Sequence, residues 1–93
     1  MQEIRYIAST YFHQDYDLEA ATPLGVVVKY KEAESDSTVN GLRCEIVQLL
    51  AGGGDEGNLA IAWLKTAGAA YDPRSDGMTL KAWFSDMFNI LDR

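Results

Sequence analysis

The segment from Tyr11 to Asp17 holds the side chains of this chain that could most readily do chemistry. It reads Tyr-Phe-His-Gln-Asp-Tyr-Asp, and His13 is the only histidine of the protein. An imidazole near the carboxylates of Asp15 and Asp17 could act as a general acid or base, form half of a metal site, or hold a turn together through hydrogen bonds. The choice between these roles separates an enzyme from a binding protein.

The rest of the chain offers His13 few catalytic partners. A hydrolytic histidine needs a nucleophile or a metal beside it, and the chain contains no serine elbow motif. The single cysteine, Cys44, falls among apolar positions of a predicted helix, where we expect it to be buried and unreactive. The pattern therefore predicts no catalytic residue, and a small hydrolase centred on His13, Asp15 and Asp17 stands as the alternative.

Metal and phosphate motifs are equally incomplete. A structural zinc site needs about four cysteine and histidine ligands, whereas this chain has one residue of each type. The calcium-loop pattern fails after Asp17, because Glu19 and Ala20 follow where the pattern requires a glycine turn. The glycine run 52–54 leads into two acids and not into the lysine of a phosphate-binding loop. We expect no metal and no cofactor.

The composition is that of an acidic protein, whose charge could attract a basic partner or simply aid solubility. The formal net charge is −6, which disfavours nucleic acid and anionic membrane and favours a basic protein partner. One cysteine cannot form an internal disulfide, so a reducing compartment fits. The sequence lacks a signal peptide and an apolar run of roughly 20 residues that could span a membrane. We therefore expect a cytoplasmic protein.

Helical periodicity runs through most of the chain and predicts an all-α fold, a single domain over residues 1–93 built from four to five short helices. We predict helices over about 2–12, 23–34, 39–50 and 56–67, and a last helix capped by Thr79. The run Val26–Val28 would also suit a strand, but Thr22 and Pro23 form a helix start. We predict that the 35–38 segment is a polar linker. The core stripe of the last helix is predicted to comprise Leu80, Trp83, Phe84, Met87 and Leu91, with Trp63 facing the same core.

Two sequence blocks in register carry a family resemblance. One block is the segment Tyr11–Tyr16, and the other is a Tyr-Asp-Pro…Asp-Gly-Met-Thr loop followed by a tryptophan. Together they resemble the immunity proteins of bacterial contact-dependent growth inhibition systems, over essentially the whole chain length. The residues that carry this structural signature are Tyr11, Phe12, His13, Asp15, Tyr16, Tyr71, Pro73, Asp76, Gly77, Thr79 and Trp83.

The resemblance implies an inhibitor and not an enzyme. A protein of this kind binds the C-terminal domain of a large secreted toxin in sibling cells and blocks the toxin's active site. Many such domains are basic nucleases, so the cognate toxin domain is expected to be a nuclease, with an RNase preferred, in a one-to-one complex. An acidic inhibitor suits such a target. An acidic helical adaptor without a toxin partner is a further alternative.

The resemblance also separates fold-bearing residues from contact residues. Since immunity proteins must discriminate between toxins, a shared motif is better explained by the fold. We expect His13, Asp15 and Tyr16 to hydrogen-bond the first loop to the 71–79 loop. The toxin-binding residues are predicted to be the acids of the middle region with an aromatic anchor, then three other acids: Glu32, Glu34, Asp36 and Tyr30, followed by Asp17, Glu19 and Asp55.

Overall fold

The computed structural model describes residues 2–18, 20–52 and 55–93 and confirms the all-α prediction. Within these ranges the chain forms five α-helices and three helical segments of other types, and no strand. The α-helices are α1 (Gln2–Thr10), α2 (Pro23–Ala33), α3 (Asp36–Ala51), α4 (Glu56–Ala60) and α5 (Leu80–Leu91). The other segments are 3₁₀ turns over Tyr16–Leu18 and Pro73–Asp76, and a π-helix over Ile61–Thr66. None of the described helices is long and apolar enough to cross a membrane.

The second segment is a helix and not a strand. Thr22 Oγ1 accepts a hydrogen bond from the Gly25 amide at 3.0 Å, and Pro23 occupies the first turn, as the sequence predicts. Val26 and Val27 are fully buried on the inner face of α2. Burial of these side chains outweighs the modest rotamer cost of β-branched residues in a helix.

The prediction of a linker over 35–38 is wrong, because Ser35 caps α3 and residues 36–38 form the first turn of that helix. Ser35 caps the helix by accepting the Thr38 amide at 3.2 Å, and its hydroxyl donates to Thr38 Oγ1 at 3.0 Å. Asp36 then lies in the first turn, where its negative charge interacts favourably with the helix dipole. Both Ser35 and Thr38 are good cap residues, and the chain uses the earlier one.

Two other helix boundaries differ from the prediction. Helix α1 ends at Thr10, since the Phe12 amide donates to the Ile7 carbonyl at 3.1 Å and the Phe12 ring turns into the core. The predicted helix over 56–67 begins as α4 but widens into the π-helix, where the Ala67 amide donates to the Ala62 carbonyl at 3.0 Å. Gly68 ends this segment at φ +77°, a conformation that glycine adopts without strain.

Cys44 was predicted to be buried, but its side chain is exposed. Leu42 and Ile46, four residues apart, share the inner face of α3 and are fully buried. Cys44 is two residues from each of them, which is about 200° around the helix, so it faces outward.

Helix α5 is the centre of the packing and contacts α2, α3 and α4. Its predicted core stripe is confirmed, since Leu80, Trp83, Phe84, Met87 and Leu91 are all buried. Trp63, in the π-helix, meets this stripe with its ring centroid 5.6 Å from that of Trp83. Helix α1 lies at the other side and packs against α3 and the π-helix.

Three helix ends are capped by side chains from other helices. Glu45 of α3 accepts the backbone amides of Glu3 and Ile4 at 2.9 and 3.0 Å, at the start of α1. Glu56 of α4 accepts the amides of Leu80 and Lys81 at 2.7 and 2.9 Å, at the start of α5. At the other end of α5, Lys31 Nζ donates to two backbone carbonyls, those of Ile90 and Arg93, at 3.1 and 2.8 Å.

Helix α3 lies close to the Glu3 side chain of α1 at a glycine. A Cβ atom on Gly41 would lie 3.0 Å from Glu3 Cγ, so a larger residue would require the Glu3 side chain to shift. One turn further along α3, Glu45 reaches the first amides of α1.

Candidate functional site

His13 sits in a tight local turn. Its Nδ1 accepts a hydrogen bond from the Asp15 amide at 3.1 Å, and its carbonyl accepts the Tyr16 amide at 3.0 Å. The side chains of Asp15 and Asp17 are exposed. Across the described ranges no group of three or more His, Cys, Asp and Glu side chains is placed to hold a metal ion. The hydrogen bond from Asp15 therefore ties the imidazole to its own turn.

The two signature blocks meet in space, mainly through aromatic rings. The Phe12 carbonyl accepts the Ala70 amide at 2.8 Å, and the Phe12 ring stacks on Tyr71 with centroids 6.1 Å apart. Tyr16 adds a second ring at 5.5 Å from Tyr71. A backbone hydrogen bond and ring packing thus connect the two blocks. Side-chain hydrogen bonds from His13, Asp15 and Tyr16 to the second loop stay a prediction.

The second block forms a self-supporting loop. Asp72 accepts the Arg74 amide at 3.0 Å and forms an ion pair with the Arg74 guanidinium at 2.8 Å, which lowers the pKa of the Asp72 carboxyl. The Tyr71 hydroxyl donates to Asp76 at 2.8 Å; burial, and then this hydrogen bond, raise the pKa of Tyr71. Gly77 turns the chain at φ +74°.

The loop leads directly into α5. Thr79 caps the helix as predicted, accepting the Ala82 amide at 3.0 Å. Pro73 is buried beneath the loop, and the Tyr71 carbonyl accepts the indole N–H of Trp63 at 2.9 Å. The loop thus joins the aromatic core to the start of α5, which is a structural role.

The prediction that Tyr30 is an aromatic anchor for the toxin is wrong, because this side chain is 0% exposed. It lies three and four residues after Val27 and Val26, so it shares the inner face of α2 with them. Its hydroxyl donates to the Thr38 carbonyl at 3.4 Å, a long hydrogen bond, and burial raises its pKa.

The predicted contact acids do not all have the same surroundings. Glu32 and Asp36 are exposed on either side of the α2–α3 junction, and Asp17 is exposed at the far end of the first loop. Asp55 is exposed but accepts the Asn58 amide at 2.8 Å as the cap of α4. Glu19 lies outside the described residues.

Glu34 differs from the other acids because it is half-buried and held by two tyrosines. Its Oε2 atom accepts the Tyr11 hydroxyl at 2.6 Å and the Tyr6 hydroxyl at 3.0 Å. The hydrogen bond to Glu34 raises the pKa of the Tyr6 phenol. The Tyr11 ring lies edge-on to the buried Tyr30 ring at 5.3 Å, so Tyr30 supports the pair from below.

A surface groove opens beside Glu34. It has a volume of about 480 Å³ and separates the outer face of α1 from the α2–α3 junction. Its lining residues are Gln2, Glu3, Arg5, Tyr6, Ser9, Glu34 and Thr38. We call it the α1 groove. Its two carboxylates, one guanidinium and exposed tyrosine suit the binding of a polar or charged group.

Tyr6, which lines the α1 groove, was missed by the sequence analysis. Tyr6 falls beside the apolar stripe of Ile4 and Ile7, and its position at the edge of that stripe is the one sequence signal for a half-exposed ring. Its pairing with Glu34 depends on how α1 packs against the α2–α3 junction, and local spacing does not encode that packing.

A second groove lies between α3 and α5. It has a volume of about 460 Å³ and is lined by Arg43, Cys44, Val47, Gln48, Phe88 and Asp92. Val47 is 47% exposed, so the floor of the groove is apolar. At its rim Arg43 and Asp92 are paired at 2.7 Å, and their charges cancel.

The chain matches a known protein family. A family model described as CdiI immunity protein matches residues 1–91. Comparison with curated proteins and with solved structures gives no significant match. The matched range contains both signature blocks, the carboxylate caps at the starts of α1 and α5, and all the residues that line the α1 groove.

Proposed function

Because the chain belongs to the CdiI immunity protein family, we propose that it neutralises a toxin domain that is a basic nuclease, and more specifically an RNase. The family membership itself implies toxin neutralisation. The proposal adds the chemistry of the target, a one-to-one complex and a site of action in the cytoplasm. The family match over residues 1–91 is the observation that carries the neutralising function.

The charge of the chain supports a nuclease as the target. A nuclease that grips RNA presents cations along its substrate groove, and a partner with a net charge of −6 is drawn toward such a surface. Glu32 and Asp36 are exposed at the α2–α3 junction, and in the described part of the chain neither side chain caps another helix. An inhibitor that covers the nuclease with these acids would exclude the phosphates of the substrate.

The surroundings of His13 favour an inhibitor over the alternative hydrolase. Its Nδ1 accepts the Asp15 amide, and the adjacent Phe12 holds the second signature block through its carbonyl and ring. These contacts give the segment a role in the fold. A general base would instead need a reacting group within hydrogen-bond reach.

Co-expression with the toxin domain encoded beside this chain tests the proposal. We expect growth to be rescued, a one-to-one complex to form, and RNA cleavage by the purified domain to stop. An unrelated nuclease toxin domain serves as the control and should not be inhibited. Rescue of a pore-forming or DNA-cleaving domain would contradict the RNase assignment, and absence of rescue would contradict the function.

The variant His13→Ala separates the inhibitor from the hydrolase. An inhibitor should keep full protection, with unfolding stability reduced by about 0.5–1.5 kcal/mol for the lost turn hydrogen bond. A hydrolase centred on this histidine should lose protection while its fold is retained. If the variant keeps its thermal stability but loses toxin binding, the structural role of His13 is wrong.

A further inference from the structure

We propose that the α1 groove receives a cationic side chain, arginine or lysine, from the toxin domain, and that Glu34 is the carboxylate that binds it. This inference rests on the proposed function and specifies where the complex is anchored. It also changes the role of the tyrosines, since Tyr6 and Tyr11 become the residues that position Glu34.

The orientation of Glu34 is fixed before any partner arrives. Both tyrosine hydroxyls donate to the same oxygen, Oε2, at 2.6 and 3.0 Å. No hydrogen bond from the described residues reaches the other oxygen, Oε1, and Glu34 is one of the residues that line the groove. A side chain that is already ordered loses less entropy when it binds, so each new contact contributes more to affinity.

The burial of Glu34 strengthens its attraction for a cation. The residue is half-buried between the tyrosines, whereas Glu32 and Asp36 are exposed. A charge that is partly removed from water is screened less by solvent and salt than an exposed one. Of the three central acids, Glu34 is therefore the one suited to a short-range contact.

The other groove residues fit a cation better than an anion. Glu3 adds a second carboxylate to the wall of the groove, against the single guanidinium of Arg5. The ring of Tyr6 is 37% exposed in the same groove, and a cation can be attracted to the face of an aromatic ring. An acidic segment would meet two like charges there. Charge complementarity thus selects a basic side chain.

The groove between α3 and α5 offers no comparable selection. Its floor is apolar, and the charges at its rim are already paired between Arg43 and Asp92. In the α1 groove, by contrast, the Glu34 carboxylate can accept further hydrogen bonds, because the two from the described residues both reach Oε2.

Glu34→Gln is the central test, measured as binding kinetics with the purified toxin domain. Glutamine keeps the shape of the side chain, and its carbonyl can still accept both tyrosine hydroxyls, so the fold should be retained. We expect the dissociation constant to rise by about 10- to 100-fold, mainly through faster dissociation. The matched control is Glu32→Gln, which removes the same charge from an exposed position and should change affinity by about threefold or less.

Arg5→Gln gives a test of opposite sign. Removing this like charge should tighten binding of a cationic side chain by about two- to fivefold, whereas it should weaken binding of an acidic segment. Tyr6→Ala should weaken binding, because it removes both the ring and the hydrogen bond to Glu34. Tyr6→Phe should weaken binding less, because it removes the hydrogen bond and keeps the ring.

The outcomes separate this inference from the function on which it rests. If the wild-type chain binds and inhibits the toxin while Glu34→Gln and Tyr6→Ala keep its affinity within twofold, the groove is not the anchor and the function stands. If Arg5→Gln weakens binding, the occupant is not a cation. If the wild-type chain fails to bind the toxin domain at all, both proposals are overturned.

Discussion

Two buried tryptophans at the centre of the core differ in one atom-level respect. Trp63 and Trp83 are both 0% exposed, and their rings are in contact. The indole N–H of Trp63 donates to the Tyr71 carbonyl, whereas that of Trp83 has no hydrogen-bond partner in the described part of the chain. Trp83 lies edge-on to the Phe12 and Tyr71 rings at 5.4 and 5.0 Å, where a weak N–H to ring contact can form.

We therefore expect Trp63→Phe to destabilise the protein more than Trp83→Phe. Both substitutions remove the same ring volume, but only the first leaves the Tyr71 carbonyl buried without its indole donor. The difference should be about 1–2 kcal/mol in the free energy of unfolding, measured by urea denaturation. Equal losses would show that the hydrogen bond to Tyr71 contributes nothing.

At the scale of elements, the helix ends divide into those closed locally and those closed by another helix. Thr22, Ser35, Asp55 and Thr79 each cap their own helix from the adjoining residue. The start of α1 is closed by Glu45 of another helix, and the start of α5 uses Glu56 in addition to its own Thr79. A carboxylate at a helix start satisfies unpaired amides and favours the helix dipole.

We expect Glu45→Ala and Glu56→Ala each to cost about 1–2 kcal/mol of stability. The two carboxylates act on different helices and share no hydrogen-bond partner, so the losses should add to within about 0.5 kcal/mol in the double variant. Glu32→Ala, an exposed glutamate of α2, is the control and should change stability by less than about 0.5 kcal/mol. A loss for Glu32→Ala as large as the others would assign the effect to net charge.

This division also explains how far the sequence predicts the fold. The caps at Thr22 and Thr79 and the stripe of α5 follow from local spacing, so they could be predicted, and they are confirmed. Glu45 caps a residue 42 positions away in the sequence, and Glu56 caps one 24 positions away. Such pairs depend on how the helices pack, which periodicity does not encode.

The candidate site was less predictable than the fold for the same reason. The sequence marks Glu34 as one acid among several, and only the packing of α1 brings two tyrosine hydroxyls to it. Tyr30 was misassigned because a tyrosine is compatible with both a core and an interface. Val26, Val27 and Val28 are consecutive, so no polar residue among them marks where the buried face of α2 ends.

At the scale of the whole molecule, the net charge of −6 acts over longer distances than any single contact. Two of the exposed acids, Glu32 and Asp36, flank the α2–α3 junction, which also forms one wall of the α1 groove. Their field reaches about 8 Å into solvent at physiological salt. We therefore expect them to speed the encounter with a basic toxin, while Glu34 sets the lifetime of the complex.

Reversing both charges, in the double variant Glu32→Lys and Asp36→Lys, should slow association by about tenfold at low salt. The variant should also show a weaker dependence of the association rate on ionic strength, measured by stopped-flow mixing. At about 1 M salt the two proteins should associate at similar rates, because the screening length falls to about 3 Å. Unchanged association rates at low salt would contradict a steering role.

The cap that Glu45 provides for α1 has a consequence for the order of events during synthesis. Glu45 follows Glu3 by 42 residues, so at about 5–20 residues per second the ribosome adds it roughly 2–8 s later. Throughout that interval the nascent first helix lacks the carboxylate that closes its start. Closure of the start of α1, which lines the α1 groove, therefore requires that translation has reached α3.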